Sequence, residues 1–121
     1  MKTLLARHLV LVALALLGAA ASKPTPPTFR LPAGVRPTRY ALDLKIVPAA
    51  PTFSGTVAID LQLDAPTSLV WLNATELTID GSELRAGRDV QAATVVPGGP
   101  GYVGFSVARP VGKGADRKSV V

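Results

Sequence analysis

Few side chains in this sequence are suited to chemistry, and their spacing works against it. The single histidine is His8 and there is no cysteine. His8 falls in an apolar leader, so the rest of the chain has neither imidazole nor thiolate for a zinc site, and metal binding is not expected. Asp43, Asp60, Asp64, Asp80 and Asp89 are dispersed over alternating segments and turns. There a solvated carboxylate is the expectation rather than an acid–base pair. Gly98-Gly99-Pro100-Gly101 lacks the Lys-Ser/Thr and the helix that a phosphate loop requires, so it reads as a flexible hairpin loop. Asn73-Ala74-Thr75 fits the N-glycosylation pattern, but a composition rich in Ala, Gly, Pro, Arg and Val has a bacterial character, and a chance triplet is the expectation. Trp71, between Val70 and Leu72, is expected in a core rather than as a stacking platform. No catalytic, cofactor-binding or metal-ligating residue is assigned.

A chain of 121 residues holds one small domain. Its first segment has the layout of a secretory signal peptide: Lys2 and Arg7, then apolar Leu9 to Leu17, then small Gly18 to Ala21. Cleavage is expected after Ala21. A membrane-spanning helix takes roughly 20 apolar residues, about twice this run, so membrane attachment is expected only if the signal sequence is left uncleaved. Without Lys2 and Arg7 the formal charge falls from +5 to +3. No basic cluster with interleaved aromatics is present, so nucleic acid is not an expected partner. Residues 22–28 alternate Pro with Lys and Thr and read as an extended linker.

From Arg39 onward the pattern is β. Tyr40, Leu42, Leu44 and Ile46 alternate with Ala41, Asp43 and Lys45, which predicts a strand with one buried apolar face. Pro48 to Pro51 breaks it, and Val57, Ile59, Leu61 and Leu63 repeat the alternation. Leu69 to Leu72 is apolar on both faces, as in a strand covered on two sides. Leu77 to Ile79 with Asp80-Gly81 predicts a strand end and a tight turn. Val90 to Val96 and Tyr102 to Val107 are further strands. With no helical period after residue 21, the expected fold class is all-β: an antiparallel sandwich or a curved, saddle-like sheet, incomplete at its C-terminal end.

The order of anchor residues resembles the N-terminal β domain of the M1 family of zinc aminopeptidases, the aminopeptidase N-like enzymes. The anchors are Arg30-Leu31-Pro32, Pro37 with Tyr40, Leu42 and Leu44, Phe53 with Gly55, Val57 and Ile59, then Trp71-Leu72-Asn73 with Leu77 and Ile79. Pro37 would hold the start of the first strand extended, Tyr40 would open its buried face, and Gly55 would allow a bend or bulge. The resemblance covers residues 29–84 closely and 85–114 more loosely. It implies a domain that packs on a thermolysin-like catalytic domain of the same polypeptide and helps close a cavity for peptide substrates. Zinc is expected in that catalytic domain, on a His-Glu-x-x-His helix, and a Gly-x-Met-Glu-Asn segment would bind the substrate amine. No position in this chain matches either motif, and the acidic or amide residue that the N-terminal domain of relatives contributes to the cavity would lie beyond Val121.

Asp116-Arg117-Lys118-Ser119-Val120-Val121 can be encoded by GATCGGAAGAGCGTCGTG, the opening of a common sequencing adapter. These residues are therefore expected to be read-through, with the partial β domain running from 29 to 115. The resulting expectation is a non-catalytic fragment of an exported, periplasmic or extracellular aminopeptidase that removes N-terminal residues from peptides. The alternatives are a relative that kept the fold and lost the chemistry, and a stand-alone exported β-sandwich that binds a partner or acts as a scaffold without catalysis.

Overall fold

The computed structural model describes residues 21–112, and the backbone of residues 114–120. The expected signal peptide, apart from Ala21, lies outside the described residues. The strands are β1 (Val35–Lys45), β2 (Ser54–Leu63), β3 (Thr67–Asn73), β4 (Glu83–Ala86), β5 (Asp89–Ala92), β6 (Thr94–Pro97), β7 (Tyr102–Val111) and β8 (Gly114–Val120). They form a five-stranded sheet in the order β1-β2-β8-β4-β5 and a three-stranded sheet in the order β3-β7-β6. Every pairing is antiparallel, neither sheet closes into a barrel, and no helix occurs among the described residues. The all-β, sandwich-like class expected from the alternation is the one observed. The boundary expected at Ala115 falls inside β8.

β2 carries the strongest alternation, and its inner side chains Ile59, Leu61 and Leu63 are all buried. They share one cluster with Val70, Leu84, Val107 and Val111. Each fully buried Leu or Val of this kind contributes about 1.5–3 kcal/mol relative to exposure. The β4–β5 hairpin turns on Gly87-Arg88; Gly87 has φ 62 and Arg88 is not in the positive-φ region, which is the pattern of a type II′ turn.

Several expectations are corrected. Leu77 to Ile79 forms no strand, and Asp80-Gly81 is not a positive-φ turn; the hairpin of this region lies further on, at β4–β5. Val90 to Val96 is not one strand. It divides at Ala93 into β5, in the larger sheet, and β6, in the smaller, so the chain crosses between layers there. The crossing is pinned by the Ala93 N–H donating to the Ser82 carbonyl (2.9 Å) and the Ser82 hydroxyl donating to the Ala93 carbonyl (3.1 Å). The irregularity expected at Gly55 sits instead in β1, between Pro37 and Arg39. Pro37 has no N–H to give to a ladder, and the Thr38 hydroxyl donates to the Asp60 carbonyl at 3.2 Å within the bulge.

Gly55 is needed for another reason. It faces Leu44 across the ladder, and a Cβ at this position would stand 2.3 Å from the Asp43 carbonyl oxygen. Close backbone approach, rather than conformational freedom, requires glycine here.

Candidate functional site

The largest departure from expectation is on β1. Tyr40 pairs with Ile59, Leu42 with Val57 and Leu44 with Gly55. Directly opposed residues of an antiparallel pair project to the same face, so the apolar side of β1 continues the core face of β2. The expected burial is nevertheless not found: Tyr40 is 62% exposed, Leu42 65% and Leu44 44%. The cause is the width of the second layer. Its β3-β7-β6 sheet has three strands against five in the sheet beneath it, too few to cover every strand of the larger sheet. Ile46 and Phe53, at the far end of the same hairpin, are exposed as well.

Where the layers part, they enclose an apolar cleft of about 170 Å³. Its lining combines Val35 and Tyr40 of β1 with Leu72 of β3 and Phe105 of β7, and it includes Leu31 and Leu77. Small-molecule sites span roughly 300–1,000 Å³, so a cleft of this size suits one or two side chains rather than a cofactor. Anchors expected to matter for their order thus come together here: Leu31, Pro37, Tyr40, Val57, Ile59, Trp71, Leu72, Asn73, Leu77 and Ile79 all line this opening.

Trp71 is buried, as expected of a core residue. It pairs with Gly104, and its ring lies so close that a Cβ on Gly104 would stand 3.0 Å from Cζ3, while one on Gly98 would stand 2.8 Å from the same atom. Gly98 to Gly101 is the loop between β6 and β7, with Gly99 (φ 74) and Gly101 (φ 88) in the left-handed region. Its hairpin reading holds, and Gly98 additionally makes room for the indole.

Three ion pairs lie outside the cleft lining. Arg36 pairs with Asp64 through two hydrogen bonds (2.7 and 3.3 Å), Arg109 with Asp89 (2.8 Å), and Arg85 with Glu83. All three pairs are largely solvated, so each contributes below about 1 kcal/mol. Among the described residues no group of three or more His, Cys, Asp or Glu side chains is placed to hold a metal, so these residues do not fit a zinc centre. Asn73 is exposed at the end of β3.

One polar residue escaped the reading of the sequence. Gln91 on β5 is buried, and its amide spans the two layers: Nε2 donates to the Arg109 carbonyl (3.1 Å), and Oε1 accepts from the Arg109 N–H (3.0 Å). A lone glutamine in Asp-Val-Gln-Ala carries no periodic signal that marks it as a clamp.

Comparison with known proteins agrees with this layout. The chain is 38% identical over 88 residues to Aminopeptidase M1-B of Oryza sativa subsp. japonica, a match that covers 70% of this chain and 10% of the relative. It is 43% identical over 51 residues to human glutamyl aminopeptidase (42% of this chain, 5% of the relative) and 44% identical over 55 residues to Aminopeptidase M1 of Arabidopsis thaliana (46% and 6%). The chain therefore spans about a tenth or less of the length of these relatives. Residues 36–98, just over half of the chain and reaching from β1 through β6, match the Peptidase M1 N-terminal domain, and the chain belongs to that family.

Proposed function

We propose that this chain is the non-catalytic N-terminal domain portion of an exported zinc aminopeptidase that removes N-terminal residues from peptides. The observation that carries the proposal is the match of residues 36–98 to the M1 N-terminal domain, together with a relative named as an aminopeptidase of whose length the match covers 10%. Since the described side chains do not fit a zinc centre, zinc and the groups that grip the substrate amine belong to a catalytic domain elsewhere in the same polypeptide. That metal would polarise the scissile carbonyl and activate water. The contribution of this chain is structural: a rigid sandwich that presents an apolar face toward the rest of the enzyme. Export rests on the charged, apolar and small-residue succession of residues 1–21, and it places the enzyme in the periplasm or outside the cell.

The test is to express the complete reading frame and the 121-residue chain separately and assay both on an aminoacyl p-nitroanilide. Hydrolysis by the complete protein that is abolished by a chelator and restored by zinc, with none from the 121-residue chain, is the expected result. A complete protein that is folded but inactive would instead favour the binding or scaffold reading, for which the exposed apolar face of β1 is the motivating observation.

A further inference from the structure

The larger sheet has more apolar face than the smaller one covers. Ile59, Leu61 and Leu63 of β2, Val70 of β3, Leu84 of β4 and Val107 and Val111 of β7 are buried in one cluster. β7 is tied to β5 through Gln91 and Arg109. In the smaller sheet β3 is an outer strand, and its Trp71, Leu72 and Asn73 line the same cleft as Val35, Pro37 and Tyr40 of β1. Two features coincide there. Among the described residues β3 pairs only with β7, so its other edge is open, and the uncovered residues Tyr40, Leu42 and Leu44 lie on the core face immediately beyond it.

We propose that a further strand, from a part of the same polypeptide outside these 121 residues, adds to the open edge of β3 and lies across β1. Strands within a sheet are about 4.8 Å apart and packed sheets about 10 Å apart, so one strand added to β3 sits over the neighbour of β2, which is β1. The occupant is an extended segment with apolar residues at every second position, facing Tyr40, Leu42 and Leu44, with the cleft between Tyr40 and Leu72 taking one of its side chains. Its edge then satisfies the outward N–H and C=O groups of β3 other than those of Leu69, which the Thr67 hydroxyl already engages, and so covers an aggregation-prone edge. The source is assigned to the same polypeptide because the rice relative is matched over only 10% of its length, leaving ample chain to supply a strand. This inference rests on the reading of the chain as one portion of a longer aminopeptidase.

The test compares the complete protein with the 121-residue chain. The latter has no cysteine, so Leu42→Cys introduces a unique thiol there, and modification at position 42 by a maleimide is followed by mass spectrometry in both. In parallel, amide exchange over residues 38–46 and 67–73 is measured on the unsubstituted proteins, an arm that holds even if the variant folds poorly. The expected result is modification at least about tenfold slower in the complete protein, with slower exchange across 67–73. Equal modification and exchange in the two proteins would overturn the proposal. So would protection of position 42 without any change over 67–73, which would mean a cover other than a strand on β3. Protection within the 121-residue chain that grows with its concentration would assign the face to a second copy, and a reading frame that closes after Val121 would leave no same-chain donor; either overturns the proposal. An enzyme that is active but remains open at position 42 refutes this inference alone and leaves the assignment of function standing.

Discussion

Replacing Gln91 tests whether one side chain holds the two layers together. In Gln91→Met the side chain keeps its length and loses both polar atoms, so the Arg109 N–H and C=O lose partners at 3.0 and 3.1 Å. A typical hydrogen bond contributes about 1 kcal/mol net, and a buried group left unsatisfied costs about 1–3 kcal/mol. Two such groups, offset by added apolar burial, give an expected loss of about 2–4 kcal/mol. Against a total stability of about 5–15 kcal/mol that is a large fraction. With a urea m-value of about 2 kcal/mol/M, the midpoint should fall by roughly 1–2 M. Trp71 is the single tryptophan and is buried, so its fluorescence reports the transition without labelling. Gln91→Glu separates the donor from the acceptor. Its carboxylate accepts from Arg109 N–H but repels the Arg109 carbonyl and the neighbouring Asp89. Protonation restores a donor, so this variant's deficit relative to wild type should shrink as pH falls toward about 4, while the Met deficit stays constant. A Met variant within about 0.5 kcal/mol of wild type would refute the clamp.

Three smaller perturbations follow from the same structure. Gly55→Ala forces a Cβ against the Asp43 carbonyl oxygen, 2.3 Å away, and should destabilise by about 1–3 kcal/mol in urea denaturation; an unchanged midpoint would show that the β1–β2 ladder yields there. Gly104→Ala places a methyl 3.0 Å from Trp71 Cζ3, so it should lower stability by about 1–3 kcal/mol and shift the native Trp71 emission, and an unshifted spectrum would contradict the packing. Glu76 is exposed and holds φ 57, where a side chain carries a penalty of about 1–2 kcal/mol, partly offset by the greater unfolded-state freedom of glycine; Glu76→Gly should therefore stabilise by about 0.5 kcal/mol, and a measured loss would mean that the carboxylate makes a compensating contact.

The parts of the fold visible in the sequence are those governed by local period. The alternations of β1 and β2 and the doubly apolar Leu69 to Leu72 each became strands, because side-chain direction in a strand depends only on parity. β4 was missed because Glu83-Leu84-Arg85-Ala86 offers a single large apolar residue to read. The division of Val90 to Val96 at Ala93 has no periodic signature, since changing sheets keeps an extended backbone on both sides of the crossing. The exposure of Tyr40, Leu42 and Leu44 was beyond reach for a further reason: whether an apolar face is covered depends on the width of the opposing layer, not on the strand that carries it. The candidate surface was therefore half legible. Its residues were identified as anchors by their order, while their convergence on one open cleft required the topology.

These features are consistent with a domain whose role is completed by its neighbours. Gln91 ties the two layers together at β5, and Tyr40, Leu42 and Leu44 leave apolar surface uncovered on β1.

The central claim, that this chain is one portion of an M1 aminopeptidase, is tested most directly by long-read sequencing of the source DNA through and beyond the codon for Gly114. The account predicts an open frame that continues to a Gly-x-Met-Glu-Asn segment and a His-Glu-x-x-His helix. A genuine stop codon directly after Val121 would contradict it, and the function would then have to be sought in binding by a small exported β domain.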